Sequence, residues 1–199
     1  MKKLLFIFMG ILGLFACTQE DELNSISDEP NTQIAELTTV EAQTRFARLL
    51  SQAASNSREV REFLKTEAVR QFDNDYDVFY PLVKDKIVTG NKTFRDVLLS
   101  YCQVPNELVE IEQSQLLIDI LIPDLTLFWN FNAEQWDING DEVVVLCRND
   151  QNHTMYENGE NIGQVEKGDI PGFPCLIVKN NERLKVKSIN TRSGEVKKI

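Results

Sequence analysis

The groups from which this 199-residue chain could build a reaction centre are one histidine, four cysteines and 31 carboxylates. Zinc hydrolysis needs several histidine or cysteine ligands at set spacings, and His153 is the lone imidazole. There is no His-Glu-x-x-His, Cys-x-x-Cys, Gly-x-Ser-x-Gly or Walker-type glycine loop. A serine triad would have to use His153. A cysteine dyad would pair His153 with Cys147 or Cys175, and both cysteines sit in apolar runs, where thiols are inert. Carboxylates are so abundant that no pair of them singles itself out for glycoside chemistry. A hydrolase working through His153 or dispersed carboxylates is therefore the alternative reading, not the first.

"DNDYD" spaces Asp73, Asp75 and Asp77 as a calcium loop does, but Val78 stands where the sharp turn needs glycine and Lys84 where a bidentate glutamate is required. "DINGDE" (Asp137 to Glu142) is likewise a turn without a distal ligand. No metal and no cofactor is expected. Ligand contact has one concentrated source of candidates, "LFWNFNAEQW". There Trp129, Phe131 and Trp136 could stack on sugar if exposed, although aromatics beside an apolar run more often fill a seam between helices and sheet. Cys147 and Cys175 could bridge two neighbouring strands, with buried thiols as the alternative, and Cys102 reads as core packing.

Cys17 stands apart. Lys2 and Lys3 precede an apolar run, Leu4 to Phe15, that is too short to span a bilayer, which takes about 20 residues. This is the layout of a secretory signal. The order Leu14-Phe15-Ala16-Cys17 resembles a bacterial lipoprotein box, and the acids of "TQEDE" after it resemble the surface-export signal of Bacteroidetes cell-envelope lipoproteins. "FPCLIVKNNER" (Phe173 to Arg183) is similar to a segment in uncharacterised lipoproteins of that group. The resemblance implies cleavage before Cys17, lipidation of its thiol and usually of its new amino group, and an outer-membrane location, and the export signal implies a domain facing outward. Two or more acyl chains give stable attachment at about 0.8 kcal/mol per buried CH₂.

Cleavage would remove two lysines and no acid, so the formal charge of −10 becomes more negative still. An acidic body lacks the basic footprint that nucleic acid demands. The last stretch, from Lys179, is basic instead, with seven bases against Glu182 and Glu195, a pattern that blunts a sheet edge.

These groups must be positioned by a chain of four parts: a signal, 1–16; an acidic tether, 17–37, with a reach of roughly 25 Å; a helical region, 38–117; and a β-rich region, 118–199, packed with it as one globular unit. Thr38-x-x-Glu41 is a capping box before the stripe Phe46, Leu49, Leu50 and Ala53. Further helices are expected from Asn56, around Phe79 to Ile87, after Thr93, and from Pro105 toward Leu117. "DEVVVLC" and "PCLIV" read as strands, and Asn158-Gly159 is a hairpin signal. Helices first and strands later predict an α+β fold with a mostly antiparallel sheet. With no concentrated catalytic constellation, the function expected is a lipid-anchored, non-enzymatic module that binds a protein, peptide or glycan at the cell envelope.

Overall fold

Thr38 starts the first helix as its spacing predicts. Its hydroxyl accepts the Glu41 N–H at 3.2 Å, and Glu41 Oε2 accepts the Thr38 N–H at 3.0 Å. The computed structural model describes residues 37–114, 117–122, 133–149, 153–166 and 173–181, with the backbone of 189–190 and 195–196. Helix α1 (Thr39–Asn56) turns one face wholly inward through Ala42, Phe46, Leu49, Leu50 and Ala53. Ser57 then does two jobs. Its N–H donates to Ala53 O, closing α1, and its hydroxyl accepts the Val60 N–H at 3.2 Å, opening α2 (Arg58–Val69). The cap is thus one residue later than Asn56, because Ser57 has the extended backbone a cap needs.

The stretch around Phe79 to Ile87 departs from its helical reading. It forms strand β1 (Asp77–Phe79), a single turn α3 (Tyr80–Val83), and a hairpin of β2 (Ile87–Thr89) with β3 (Lys92–Thr93). Pro81 is tolerated only in a helix's first turn, so α3 begins there. Beyond it, Ile87-Val88-Thr89 is a β-branched run, and Gly90 (φ +56°) turns the chain back. Thr93 caps α4 (Phe94–Leu99) with Asp96 in a second capping box, and α5 (Glu107–Ser114) follows. Glu112 on α5 ties these short helices together. It accepts from Tyr80 Oη at 2.9 Å and from Arg95 Nε and Nη2 at 2.9 Å each.

The remaining strands are β4 (Ile118–Leu121), β5 (Val144–Arg148), β6 (His153–Glu157), β7 (Glu160–Val165) and β8 (Leu176–Asn180). With β1 they make one sheet in the order β1-β4-β8-β5-β6-β7, antiparallel except for the parallel pair β5–β8. Strands β9 (Ile189–Asn190) and β10 (Glu195–Val196) pair with each other. The fold is α+β, helices first and a mostly antiparallel sheet after them. The two regions interlock, however, because β1 arises inside the helical region and joins β4 in the sheet.

Period-2 alternation divides the sheet into two faces. Val78, Ile120, Val178, Val145, Cys147 and Tyr156 belong to the large core that α1 closes over. Leu121, Ile177, Leu146 and Cys175 form a second, smaller cluster on the reverse face. The β6–β7 turn docks on α1. Asn56 Nδ2 donates to Asn158 Oδ1 at 2.7 Å, and the Gly159 N–H donates to Ser51 Oγ at 2.9 Å.

Both turn residues have positive φ, +46° at Asn158 and +82° at Gly159. A Cβ on Gly159 would also meet the Gln52 side chain. Gly159→Ala is therefore expected to cost about 1–3 kcal/mol, read as a drop in the thermal midpoint of roughly 2–4 °C per kcal/mol.

Candidate functional site

A groove of about 420 Å³ opens at the end of the sheet where β5 begins and β6 ends. Its described lining is Trp136, Asp137, Gly140, Glu142, Val144, Glu157, Phe173 and Pro174. One wall is the loop 136–142, which follows a 3₁₀ turn (Ala133–Gln135) anchored by buried Ala133. Asp137 Oδ1 accepts the Asn139 N–H at 2.9 Å and Asn139 Nδ2 at 3.0 Å, so the loop's own side chains fold it over.

Helix α2 then holds the loop from behind with three bases. Arg61 Nε donates to Ile138 O at 2.7 Å, Lys65 Nζ to Trp136 O at 2.8 Å, and Arg58 Nε to Asn139 Oδ1 at 3.1 Å. Arg61 is buried, and its Nη1 also donates to Ala54 O at 2.6 Å and Ser55 O at 3.1 Å. A cation there satisfies the carbonyls that the end of α1 leaves open. One side chain thus fixes the groove wall to both helices.

The opposite wall is Val144, the end of β6 at Glu157, and the Phe173-Pro174 entry into β8. Val144 and Glu157 face each other across the β5–β6 ladder. Phe173 is 43% exposed. Trp136 is half-buried, packs against the large core and lines the groove. The seam role expected of an aromatic beside an apolar run is present at Trp136. Trp129 and Phe131 lie outside the described residues, as does Cys17.

A second concentration of carboxylates lies at the other edge of the sheet. In the β1–β4 ladder Asp77 faces Leu121 and Asp119 faces Phe79, which puts the two acids diagonally on the reverse face. Both are buried, and they are hydrogen-bonded to each other. Asp119 Oδ2 also accepts Asn181 Nδ2 at 3.1 Å and stands 3.8 Å from Lys179 Nζ. Burial, the Asp119 charge and Asp73 together push Asp77 up to about 9. Burial also raises Asp119, though Lys179 and the Asp77 hydrogen bond hold it back. At neutral pH one proton therefore serves the pair.

Asp73 and Asp75, the other acids of "DNDYD", act on the pair by their charge. The alternating acids thus do converge with a distal carboxylate, one the sequence reading missed. The signal for it was Asp119 itself, a lone charge in the apolar run "LLIDILIP". Among the described residues no three His, Cys, Asp or Glu gather as a metal site.

The catalytic arrangements weighed from sequence come apart. Cys147 faces Thr154, and His153 faces Arg148, so Cys147 and His153 point to opposite faces of the sheet. Burial raises the Cys147 thiol, which lies 3.9 Å from Thr44 Oγ1. Cys175 sits level with Val144, and His153 level with Arg148, about 13 Å apart along β5 at 3.3 Å per residue. His153 is buried, with no hydrogen-bond partner on Nδ1 among the described residues. The Cys147–Cys175 bridge does not form either. Cys147 belongs to the large core and Cys175 to the reverse cluster, so the sheet itself stands between them. Cys102 is half-buried and lies 3.8 Å from Leu98 O, beyond the last turn of α4.

The raised Asp77 makes a pH prediction. A carboxyl that is harder to ionise in the fold than in the unfolded chain gives its stability below the unfolded value, about 4, and loses it as pH rises through about 9. Asp77→Asn keeps a neutral partner for Asp119 and removes the titration. Its thermal midpoint at pH 9 should exceed that of the wild type by several degrees, with the gap closing toward pH 4, as melting curves across that range would show.

No protein-family model, no curated protein and no solved structure matches the chain.

Proposed function

We propose that the protein is a lipid-anchored module of the cell envelope that binds a peptide, protein or glycan ligand, and does so in the groove between Trp136 and Phe173. The single observation that carries the binding reading is that groove, about 420 Å³ with aromatic rings and three carboxylates at its rim. Its size falls in the range of ligand sites, about 300–1,000 Å³, and its wall is held in place before any ligand arrives. The anchor rests on the signal layout and on Cys17 at the end of it. No helix among the described residues is long and apolar enough to cross a membrane.

Hydrolysis has less support. His153 is buried and set apart from both Cys147 and Cys175, and the coupled pair Asp77 and Asp119 is buried away from the groove.

Anchoring is tested by feeding cells an alkynyl fatty acid and fractionating them. The wild type should carry the label and sediment with membranes, while Cys17→Ser should lose both properties. A Cys17→Ser protein that still sediments, processed as before, would refute the anchor. For the groove, the mature protein is applied to peptide and glycan arrays beside Trp136→Ala. Features retained by the wild type and lost by the variant are expected. Identical retention would remove the groove from the reading.

A further inference from the structure

We infer that the groove selects a cationic side chain, the lysine or arginine of a basic peptide, over a neutral sugar. This rests on the reading of the groove as a ligand site and deepens it. The described polar side chains lining it are Asp137, Glu142 and Glu157, with the indole N–H of Trp136. Ionised carboxylates accept hydrogen bonds and donate none. Asp137 and Glu142 are exposed and Glu157 is half-buried, and no base lines the groove among the described residues. Arg58, Arg61 and Lys65 reach the loop from α2, where Arg61 and Lys65 each donate to its backbone and Arg58 to Asn139.

A sugar hydroxyl both donates and accepts, so among the described side chains a neutral glycan would find one donor, the Trp136 indole N–H, against three carboxylates that only accept. An ammonium has three donors and no acceptor, and a guanidinium five and none, which is the complement of three carboxylates. The rings add to the preference. A cation over the face of Trp136 or Phe173 is attracted by the ring's negative face, whereas a sugar gains only apolar contact there. The opening at Gly140 leaves that part of the rim without a side chain. The volume suits one or two such side chains with their stems laid along Val144 and Pro174.

The test uses the mature protein carrying Trp129→Phe, so that Trp136 is the sole tryptophan and its fluorescence reports the groove. The probes are hexalysine, hexaglycine, maltohexaose and the glucosamine hexamer. Hexalysine should change the emission, and its affinity should fall with added salt. The double variant Glu142→Gln/Glu157→Gln should weaken it about 2–10-fold, as two exposed charge pairs warrant. The control Asp85→Asn/Glu166→Gln removes the same charge at exposed positions away from the groove and should weaken it far less.

Equal weakening by both pairs would mean attraction to the acidic body as a whole, and would overturn the inference. So would a maltohexaose response that the glutamine pair leaves intact, although the groove would then stand as a glycan site. A glucosamine hexamer that binds more tightly than hexalysine would overturn the peptide class while keeping the cation. Silence toward all four probes would overturn both this inference and the groove's role as a ligand site.

Discussion

Helix α1 lies against β5, β6 and β8 on one side and against α2, α4 and α5 on the other. It is the contact on which the rest of the structure depends. Phe46, Leu49 and Leu50 are wholly buried there, each worth about 1.5–3 kcal/mol by transfer. Phe46 also meets the edge of Tyr80, with ring centroids 4.9 Å apart, and so carries the packing on into the short helices. Because α1 covers the sheet, its C-terminal end arrives where the 136–142 loop passes. The buried guanidinium of Arg61 then joins that end to the loop. The groove is thus a by-product of core packing: its position follows from where a helix stops.

Much of this was legible in the sequence, and the reasons are local. Thr38 and Thr93 each stand three residues before an acid and ahead of an apolar stripe, so two helix starts could be placed to the residue. Asn158-Gly159 could be read because both positions tolerate positive φ, which few residue pairs do. The β1 region was not legible. Phe79, Leu82, Val83 and Ile87 have helical spacing, yet Asp77–Phe79 pairs with Leu121 to Asp119 far along the chain. Periodicity reports the face a residue turns inward and carries no information on a partner 40 to 44 residues away.

The same limit governs the sites. Trp136 could be named from its type, and it packs at the seam as an aromatic beside an apolar run is expected to. Glu157 and Phe173 could not be assigned beside it, since only the β5–β6 ladder and the entry to β8 bring them there. Cys147 and Cys175 looked like bridge partners because both sit in strands. One residue of register decides which face a strand's side chain takes, and composition does not hold that residue. Asp119 was overlooked because acids are common in this chain, although an acid inside an apolar strand is not.

The place of β8 has a consequence for the order of events in folding. It pairs with β4 on one side and β5 on the other, yet it follows β5, β6 and β7 in the chain. Until Leu176–Asn180 is present, β1 with β4 and the β5–β6–β7 meander are two fragments whose inner edges have nothing to bond. Closure therefore awaits a late segment and a long-range pairing, which is the slow kind of step. A chain still being made stays open along most of its length and locks only when its final central strand is delivered.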